Sequence, residues 1–347
     1  MRLDYDEMVE LCESKKEFSR KIEQIGDHEV EIFTYHVSMT DTFDSELAKW
    51  FRGTVFDADT KACICRPFPK FFNLNEHEES KEHAVDWDSA LYYHKMDGSL
   101  VMPVLLSDGD IRWKSKSTFH SAHAMKAQHM YQQMDENAKL AILGFLKMGH
   151  TPLFELISPD PEYRIVIEYP DERLVFLGAV DIESGMIIPG PTAVSVDRHE
   201  IAKMEGIEGF VIYDGQKLVK MKTAWYLERH RAVYGMSFKS IVEATLGGSI
   251  DDVIGVVAGL GMEYQLEEIE RIRDNTVEEL LAVTEYAHEV YAEVKAELPE
   301  GYTRKELAMK LKSDIHPQYH KFFFALEDGR DIEEMVKKFV FEIMMDK

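Results

Sequence analysis

The 347-residue sequence predicts an α+β fold: a mixed domain of antiparallel sheets and helices over residues 1–229, then a smaller all-α domain over residues 230–347. Short β-rich runs alternate with turn signals up to about residue 230, and Asp-Gly pairs close two of them. Beyond that point Gly and Pro thin out inside long segments, and apolar residues recur at three- and four-residue spacing with charges between. In order, Val30-Glu31-Ile32-Phe33-Thr34-Tyr35 reads as a strand. Leu100 to Leu106 runs into Ser107-Asp108-Gly109-Asp110, and Phe210 to Tyr213 into Asp214-Gly215; both read as hairpins. One helix is expected from Ser121 to Met148. Past the boundary, helices are expected over Leu266 to Leu298, Tyr302 to Lys312, Gln318 to Leu326 and Ile332 to Met345.

The chain is long enough for two domains. Its 40 Lys+Arg against 64 Asp+Glu give a net charge of −24, which argues against a non-specific nucleic-acid coat protein. A local basic cleft is still allowed, because phosphate recognition depends on local charge. The cysteines Cys12, Cys63 and Cys65 are too few for a disulfide framework. Cys63 and Cys65 fall on one face of a strand, but two thiols do not make a four-ligand zinc site. Reduced structural thiols in a cytoplasmic protein are expected. The charged start Met1-Arg2-Leu3-Asp4-Tyr5-Asp6-Glu7 lacks the apolar core of a signal peptide, and the apolar run Val253 to Met262 is too short to span a bilayer. No membrane segment is expected.

One lysine stands out. Lys95 ends the strand-like run Tyr92-Tyr93-His94, just before the polar turn Met96-Asp97-Gly98-Ser99. No Gly-x-x-x-x-Gly-Lys-[Ser/Thr] run occurs, so bound phosphates would have to be held by side chains. Basic candidates recur: Arg52-Gly53-Thr54, Lys70-Phe71-Phe72-Asn73, Lys114-Ser115-Lys116 and Val219-Lys220-Met221-Lys222. Period-two alternation puts Lys114 with Lys116, and Lys220 with Lys222, on common strand faces. Each segment has a plainer reading. Alternating basic residues usually form a solvated face, and Phe71 and Phe72 suit a core better than a base-stacking platform. Glu155 in Phe154-Glu155-Leu156 could point to water or accept hydrogen bonds from a ribose. In Glu208-Gly209-Phe210-Val211 the glycine allows close backbone approach, and the glutamate could help hold a hydrated metal.

The ordered combination is more specific than its parts. Lys95-Met96-Asp97-Gly98, Phe154-Glu155-Leu156, Glu208-Gly209-Phe210-Val211 and Val219-Lys220-Met221-Lys222 resemble the nucleotide-binding motifs of covalent nucleotidyltransferases. Trp50-Phe51-Arg52-Gly53, Arg66-Pro67-Phe68-Pro69-Lys70-Phe71-Phe72-Asn73-Leu74-Asn75-Glu76, Lys114-Ser115-Lys116 and Lys222-Thr223-Ala224-Trp225-Tyr226 narrow the resemblance to the ATP-dependent RNA ligases of the phage RNA ligase 1 family. It spans roughly residues 30 to 230. Two positions depart from the pattern: Met96 fills a variable slot, and Ser117 stands where glycine is expected. The helical region resembles the family only loosely.

The resemblance implies a nucleotidyltransferase domain that uses ATP. Lys95 would carry AMP as a lysyl adduct, the AMP would pass to an RNA 5′-phosphate, and a 3′-hydroxyl would then displace it. An isolated lysine has a pKa of about 10.4, so the site must favour the neutral amine. The resemblance assigns Arg52, Lys70, Lys220 and Lys222 to phosphate, with Lys220 and Lys222 nearest the reacting phosphate. Lys116 would bind phosphate or ribose, Glu155 the ribose, and Phe72 the adenine. Tyr35 and Tyr226 would line the pocket. Magnesium is the expected metal, with manganese able to stand in. Glu208 is its candidate outer-shell ligand and Asp251-Asp252 a second, although Ser249-Ile250-Asp251-Asp252 also reads as a helix N-cap with acids in the first turn. The implied partners are single-stranded RNA or nicked tRNA with 5′-phosphate and 3′-hydroxyl ends. A DNA ligase or a capping-type enzyme is the first alternative, but these usually append a β-barrel where this chain turns helical. A non-catalytic RNA- or nucleotide-binding protein is the second.

Overall fold

The computed structural model describes residues 1–36, 41–160, 163, 166–234, 237–259 and 263–346. Its strands are β1 (Phe18–Ile25), β2 (His28–Tyr35), β3 (Arg52–Asp57), β4 (Cys63–Cys65), β5 (Phe72–Asn73), β6 (Leu91–Lys95), β7 (Ser99–Leu105), β8 (Ile111–Lys114), β9 (His150–Ile157), β10 (Arg173–Asp181), β11 (Ile187–Pro189), β12 (Gly209–Tyr213) and β13 (Leu218–Lys222). The helices are α1 (Tyr5–Ser14), α2 (Ala122–Gln133), α3 (Glu136–Lys147), α4 (Ala224–Tyr234), α5 (Phe238–Leu246), α6 (Ile250–Gly259), α7 (Glu263–Ala296), α8 (Arg304–Asp314), α9 (His320–Glu327) and α10 (Glu333–Asp346). The strands make three sheets, ordered β1-β2-β3-β4, β11-β10-β9-β7-β8 and β5-β13-β12-β6. Pairing is antiparallel except between β5 and β13, which run parallel.

The chain forms two compact units. One comprises Met1–Gly235 and Asp251–Glu263, the other Met236–Ile250 and Tyr264–Lys347. The stretch after Ile250 therefore belongs with the sheets rather than with its helical neighbours in sequence. The second unit is helical. One of its apolar clusters joins Val294, Leu307, Leu311 and Phe323, all buried.

Local chemistry explains the main elements. Asp214 Oδ1 accepts from the Gln216 and Lys217 amides and closes the β12–β13 hairpin, while Asp108 Oδ1 does the same for Asp110 in the β7–β8 turn. The helix expected from Ser121 to Met148 is two helices. Asp135 interrupts it, its carboxylate accepting from the Ala138 amide as the N-cap of α3. The break lets Ala127 from α2 and Ile142 and Leu146 from α3 pack on Val101, Trp113, Phe154 and Leu156 of the central sheet. Each large apolar side chain buried in this way contributes about 1.5–3 kcal/mol.

No described helix is long and apolar enough to cross a membrane. The apolar run expected from Val253 to Met262 lies in α6 as far as Gly259, and its last three residues lie outside the described ones. The three cysteines are free, and burial pushes Cys12 and Cys63 up to about 12 and Cys65 up to about 11, so they stay as thiols.

Candidate functional site

The third sheet builds the floor of the site. Lys95 on β6 and Lys222 on β13 both pair in register with Gly209 on β12, so the two lysines flank one glycine. Alternation along the strands does the aiming. Tyr92, Ile212, Val219 and Met221 pack together on the far face, which turns Lys95, Lys220 and Lys222 to the near one. Glu208 lies just ahead of β12 and is almost wholly buried. Its Oε1 stands 2.8 Å from Lys95 Nζ and 3.0 Å from Lys222 Nζ. Lys222 also lies 2.9 Å from Asp252 Oδ1, and Lys220 lies 4.0 Å from the same oxygen.

Burial alone would depress the Lys222 ammonium, but Asp252 and Glu208 outweigh it and carry Lys222 above its ordinary value. Lys220 goes the other way. Burial holds it below the ordinary lysine range against Glu76 and Asp252, with Lys70 and Lys222 adding to the depression.

A second group of cations lies beside the first. Lys70 is buried, ion-paired with Asp251, and 5.0–5.7 Å from the rings of Phe43, Phe72 and Tyr35. Lys116 Nζ sits 3.8 Å from the centre of the Tyr35 ring. Burial favours the neutral Tyr35 phenol, yet Lys116 and Lys70 hold it below its ordinary value. Arg52 donates through Nη1 to the Pro69 carbonyl at 3.2 Å, and its buried Nε has no hydrogen-bond partner among the described residues.

Lys114 and Lys116 do not share a strand face, because β8 ends at Lys114. The Lys114 ammonium is wholly buried and donates to the carbonyls of Gly53, Ser115 and Lys116 at 3.0, 2.7 and 2.9 Å. It organises the turn that presents Lys116, and burial pulls it down to about 8. Gly53 makes this contact possible: at φ +98°, a Cβ there would stand 1.9 Å from the Lys116 carbonyl oxygen.

Asp97 and Gly98 hold the turn that follows Lys95. Asp97 is 2 % exposed, and its carboxylate accepts from the Val166 and Ile167 amides and the Tyr226 hydroxyl at 2.7, 2.6 and 2.8 Å. A Cβ on Gly98 would stand 2.2 Å from the Leu156 carbonyl oxygen, so only glycine lets the turn lie against β9. Tyr226, expected in the pocket wall, thus anchors Asp97, with its ring 5.2 Å from Lys222 Nζ. Phe72 is a core residue whose ring face is stacked on His77 at 4.1 Å; the neighbouring Phe71 is the more open ring and lies between Arg52 and Lys220.

Asp251 and Asp252 occupy the first turn of α6, as the helix-start reading expects, and their carboxylates also reach Lys70 and Lys222. Ser249 contributes a different bond, its hydroxyl donating to the Ala244 carbonyl at 3.5 Å. The helix lies close on β5: a Cβ on Gly255 would stand 2.1 Å from Asn73 Nδ2. Among the described residues no three His, Cys, Asp or Glu side chains group as a metal cage.

Glu155 lies on β9, in register with Leu100 of β7. Burial pushes its carboxyl up to about 8 from an ordinary 4.5; Lys95 opposes the shift while Glu208 and Asp97 add to it. The folded chain therefore keeps this proton over a pH range in which the unfolded chain has lost it. Stability from this group is complete below pH 4.5 and is lost as pH rises to about 8. Glu155→Gln cannot ionise, so its melting temperature should fall less than that of the parent between these limits. Parallel melting curves across that range would remove the shifted carboxyl as the cause.

Sequence reasoning missed Asp97 and Lys114 as parts of the site. Asp97 was visible inside the Lys95 motif, but its partners lie far off in sequence. Lys114 was visible only as one of an alternating pair.

A protein-family model described as RNA ligase matches residues 50–194. A provisionally named RNA ligase of Thermovibrio ammonificans is 27% identical over 334 residues, covering 88% of this chain and 86% of that protein. RNA ligase 1 of bacteriophage TS2126 is 28% identical over 272 residues, covering 70% of this chain and 66% of that one. A solved archaeal ATP-dependent RNA ligase superposes with a TM-score of 0.48 at 15% identity, over 81% of this chain and 83% of that one.

Proposed function

We propose that the chain is an RNA ligase that joins RNA 5′-phosphate and 3′-hydroxyl ends at the expense of ATP through a lysyl-AMP, a reading supported by the family match over residues 50–194 and by the relatives at 27% and 28% identity. The observation that carries this reading is the position of Lys95. It lies at the end of a strand, 2.8 Å from a buried glutamate and beside Lys222 across one glycine, with further cations at Lys220, Lys70, Lys116 and Arg52. The unpartnered Nε of Arg52 is a buried donor that an anionic phosphate would satisfy.

Lys95 Nζ, having given up a proton, attacks the α-phosphorus of ATP; an N–P bond forms and the bond to pyrophosphate breaks. An oxygen of the RNA 5′-phosphate then attacks the same phosphorus, releasing the lysine and leaving a 5′–5′ pyrophosphate. The 3′-hydroxyl oxygen attacks the RNA 5′-phosphorus, its proton departs, and AMP leaves. Lys220 and Lys222 stabilise charge on the phosphate under attack, while Lys70, Lys116, Arg52 and Tyr35 hold the remaining phosphates. Asp251 and Asp252 already sit against Lys70 and Lys222, so ATP must share or replace those pairings. Glu155 is the ribose contact. His77 is stacked on one face of the Phe72 ring, so Phe72 could meet adenine only through the opposite face or an edge.

The carboxylates suit a hydrated magnesium or manganese ion whose other ligands are phosphate oxygens, with Glu208, Asp251 and Asp252 available through water rather than as a closed cage. When bound, such an ion neutralises triphosphate charge. We assign the nucleotide chemistry to the unit holding residues 1–229, with α6 as its accessory. Suitable substrates are single-stranded RNA or nicked tRNA, in a cytoplasmic setting.

Incubation with α-labelled ATP and magnesium, followed by 5′-phosphorylated single-stranded RNA, tests the whole series. Label should appear on protein, move to RNA and be released as AMP on sealing. Labelling from GTP but not ATP would indicate a capping-type enzyme. Sealing of nicked DNA but not RNA would indicate a DNA ligase, and no covalent label a binding protein.

A further inference from the structure

The segment 166–169 makes three hydrogen bonds to one residue of the nucleophile turn. The Val166 and Ile167 amides donate to the Asp97 carboxylate at 2.7 and 2.6 Å, and the Tyr169 hydroxyl oxygen accepts from the Asp97 amide at 2.8 Å. With the Tyr226 hydroxyl at 2.8 Å, the side chain and the amide of Asp97 are both fixed by the fold. Its carboxylate is occupied by three structural donors, so it is poorly placed to serve as the base that deprotonates Lys95. Two residues upstream, Lys95 is joined to this turn through only Met96. Tyr169 also lies close enough to Glu155 and Glu208 for their charges to act on its phenol, which burial pushes up to about 12 and so keeps neutral.

We propose that Tyr169 is a positioning residue for Lys95: its hydroxyl oxygen fixes the Asp97 peptide and so sets the aim of the lysine two residues before it. The backbone N–H of a 2 % exposed residue needs an acceptor, and the described structure provides this one. Without it the peptide between Met96 and Asp97 is free to rotate toward another acceptor. The carboxylate bonds would still hold the turn in place, so the damage should be to orientation rather than to folding. A small misplacement of an attacking atom is enough to slow a reaction severely.

The inference rests on the reading of Lys95 as the AMP carrier, and the test separates the two. Tyr169→Phe keeps the ring and removes only the oxygen. Single-turnover AMP attachment from α-labelled ATP should slow by about tenfold or more, with the ATP concentration for half-maximal rate unchanged. Sealing of chemically pre-adenylated RNA does not use the lysine as nucleophile, and should stay within about twofold of the parent. The ratio of the two rates in one preparation cancels any loss of folded protein. An unchanged ratio, whether both rates hold or both fall together, would overturn the role of Tyr169. Parent protein that takes up no label would overturn the lysyl-AMP reading itself.

Discussion

Lys95→Ala should take up no AMP from α-labelled ATP, and Lys95→Arg should take up none either. The two variants fail for different reasons. Alanine removes the attacking nitrogen. Arginine keeps a cation near Glu208, but its guanidinium stays protonated at any working pH and has no lone pair to offer phosphorus. Folding should barely notice the alanine. Lys95 is 21% exposed at its side chain and makes one ion pair with Glu208, which retains Lys222 at 3.0 Å. A change in stability within about 1 kcal/mol is expected. Activity loss can therefore be assigned to chemistry. Sealing of pre-adenylated RNA should persist in Lys95→Ala, because that step needs no new lysyl-AMP. Mass spectrometry of the intact protein reads the adduct directly. An AMP-sized mass increase on Lys95→Ala would end the assignment.

The part of this site legible in sequence is the part built from neighbouring residues. Period-two alternation was enough to put Lys220 and Lys222 on one face, because β13 is regular and Val219 and Met221 have an apolar partner layer to face. The same rule failed at Lys114 and Lys116, where the strand ends and three carbonyls draw the Lys114 ammonium inward. The Asp214 and Asp108 turns were readable because their hydrogen bonds close within three residues. The break at Asp135 follows from the same capping chemistry, but a continuous apolar pattern hid it. What remained hidden spans long separations. Asp97 meets Tyr226 across 129 residues, and Lys70 meets Asp251 across 181. The return of the chain at Asp251 to the first unit depends on Gly255 lying close on Asn73, a contact no periodicity encodes. Phe72 shows the reverse. Its motif position invited a role in binding adenine, and only the packing against His77 reveals a covered face.

Lys222 carries the second large effect, and a pair of variants divides it into two causes. Its side chain is 5% exposed and lies 3.0 Å from Glu208 and 2.9 Å from Asp252. Lys222→Met removes the charge and keeps most of the volume. Glu208 then retains Lys95, and Asp252 retains Lys220 at 4.0 Å, so the pairing is weakened rather than abolished. Asp252 is also 36% exposed at its side chain, so water screens part of its loss. A destabilisation of about 1–3 kcal/mol follows, below the usual cost of breaking a fully buried pair. On the proposed mechanism AMP attachment should fall by about a hundredfold or more, because a cation that shares Glu208 with Lys95 is gone when charge builds on the phosphate. Asp252→Asn added to Lys222→Met removes the acid that lost its closest partner. The double variant should regain much of the melting temperature and none of the attachment rate. Because Asp252 is also offered to the metal, the double variant is read against Asp252→Asn alone: attachment still about a hundredfold below that single variant separates a group that stabilises the reacting phosphate from a structural counter-ion. Recovery of both together would reduce Lys222 to a neutraliser of Asp252, and would move the burden of phosphate stabilisation to Lys220.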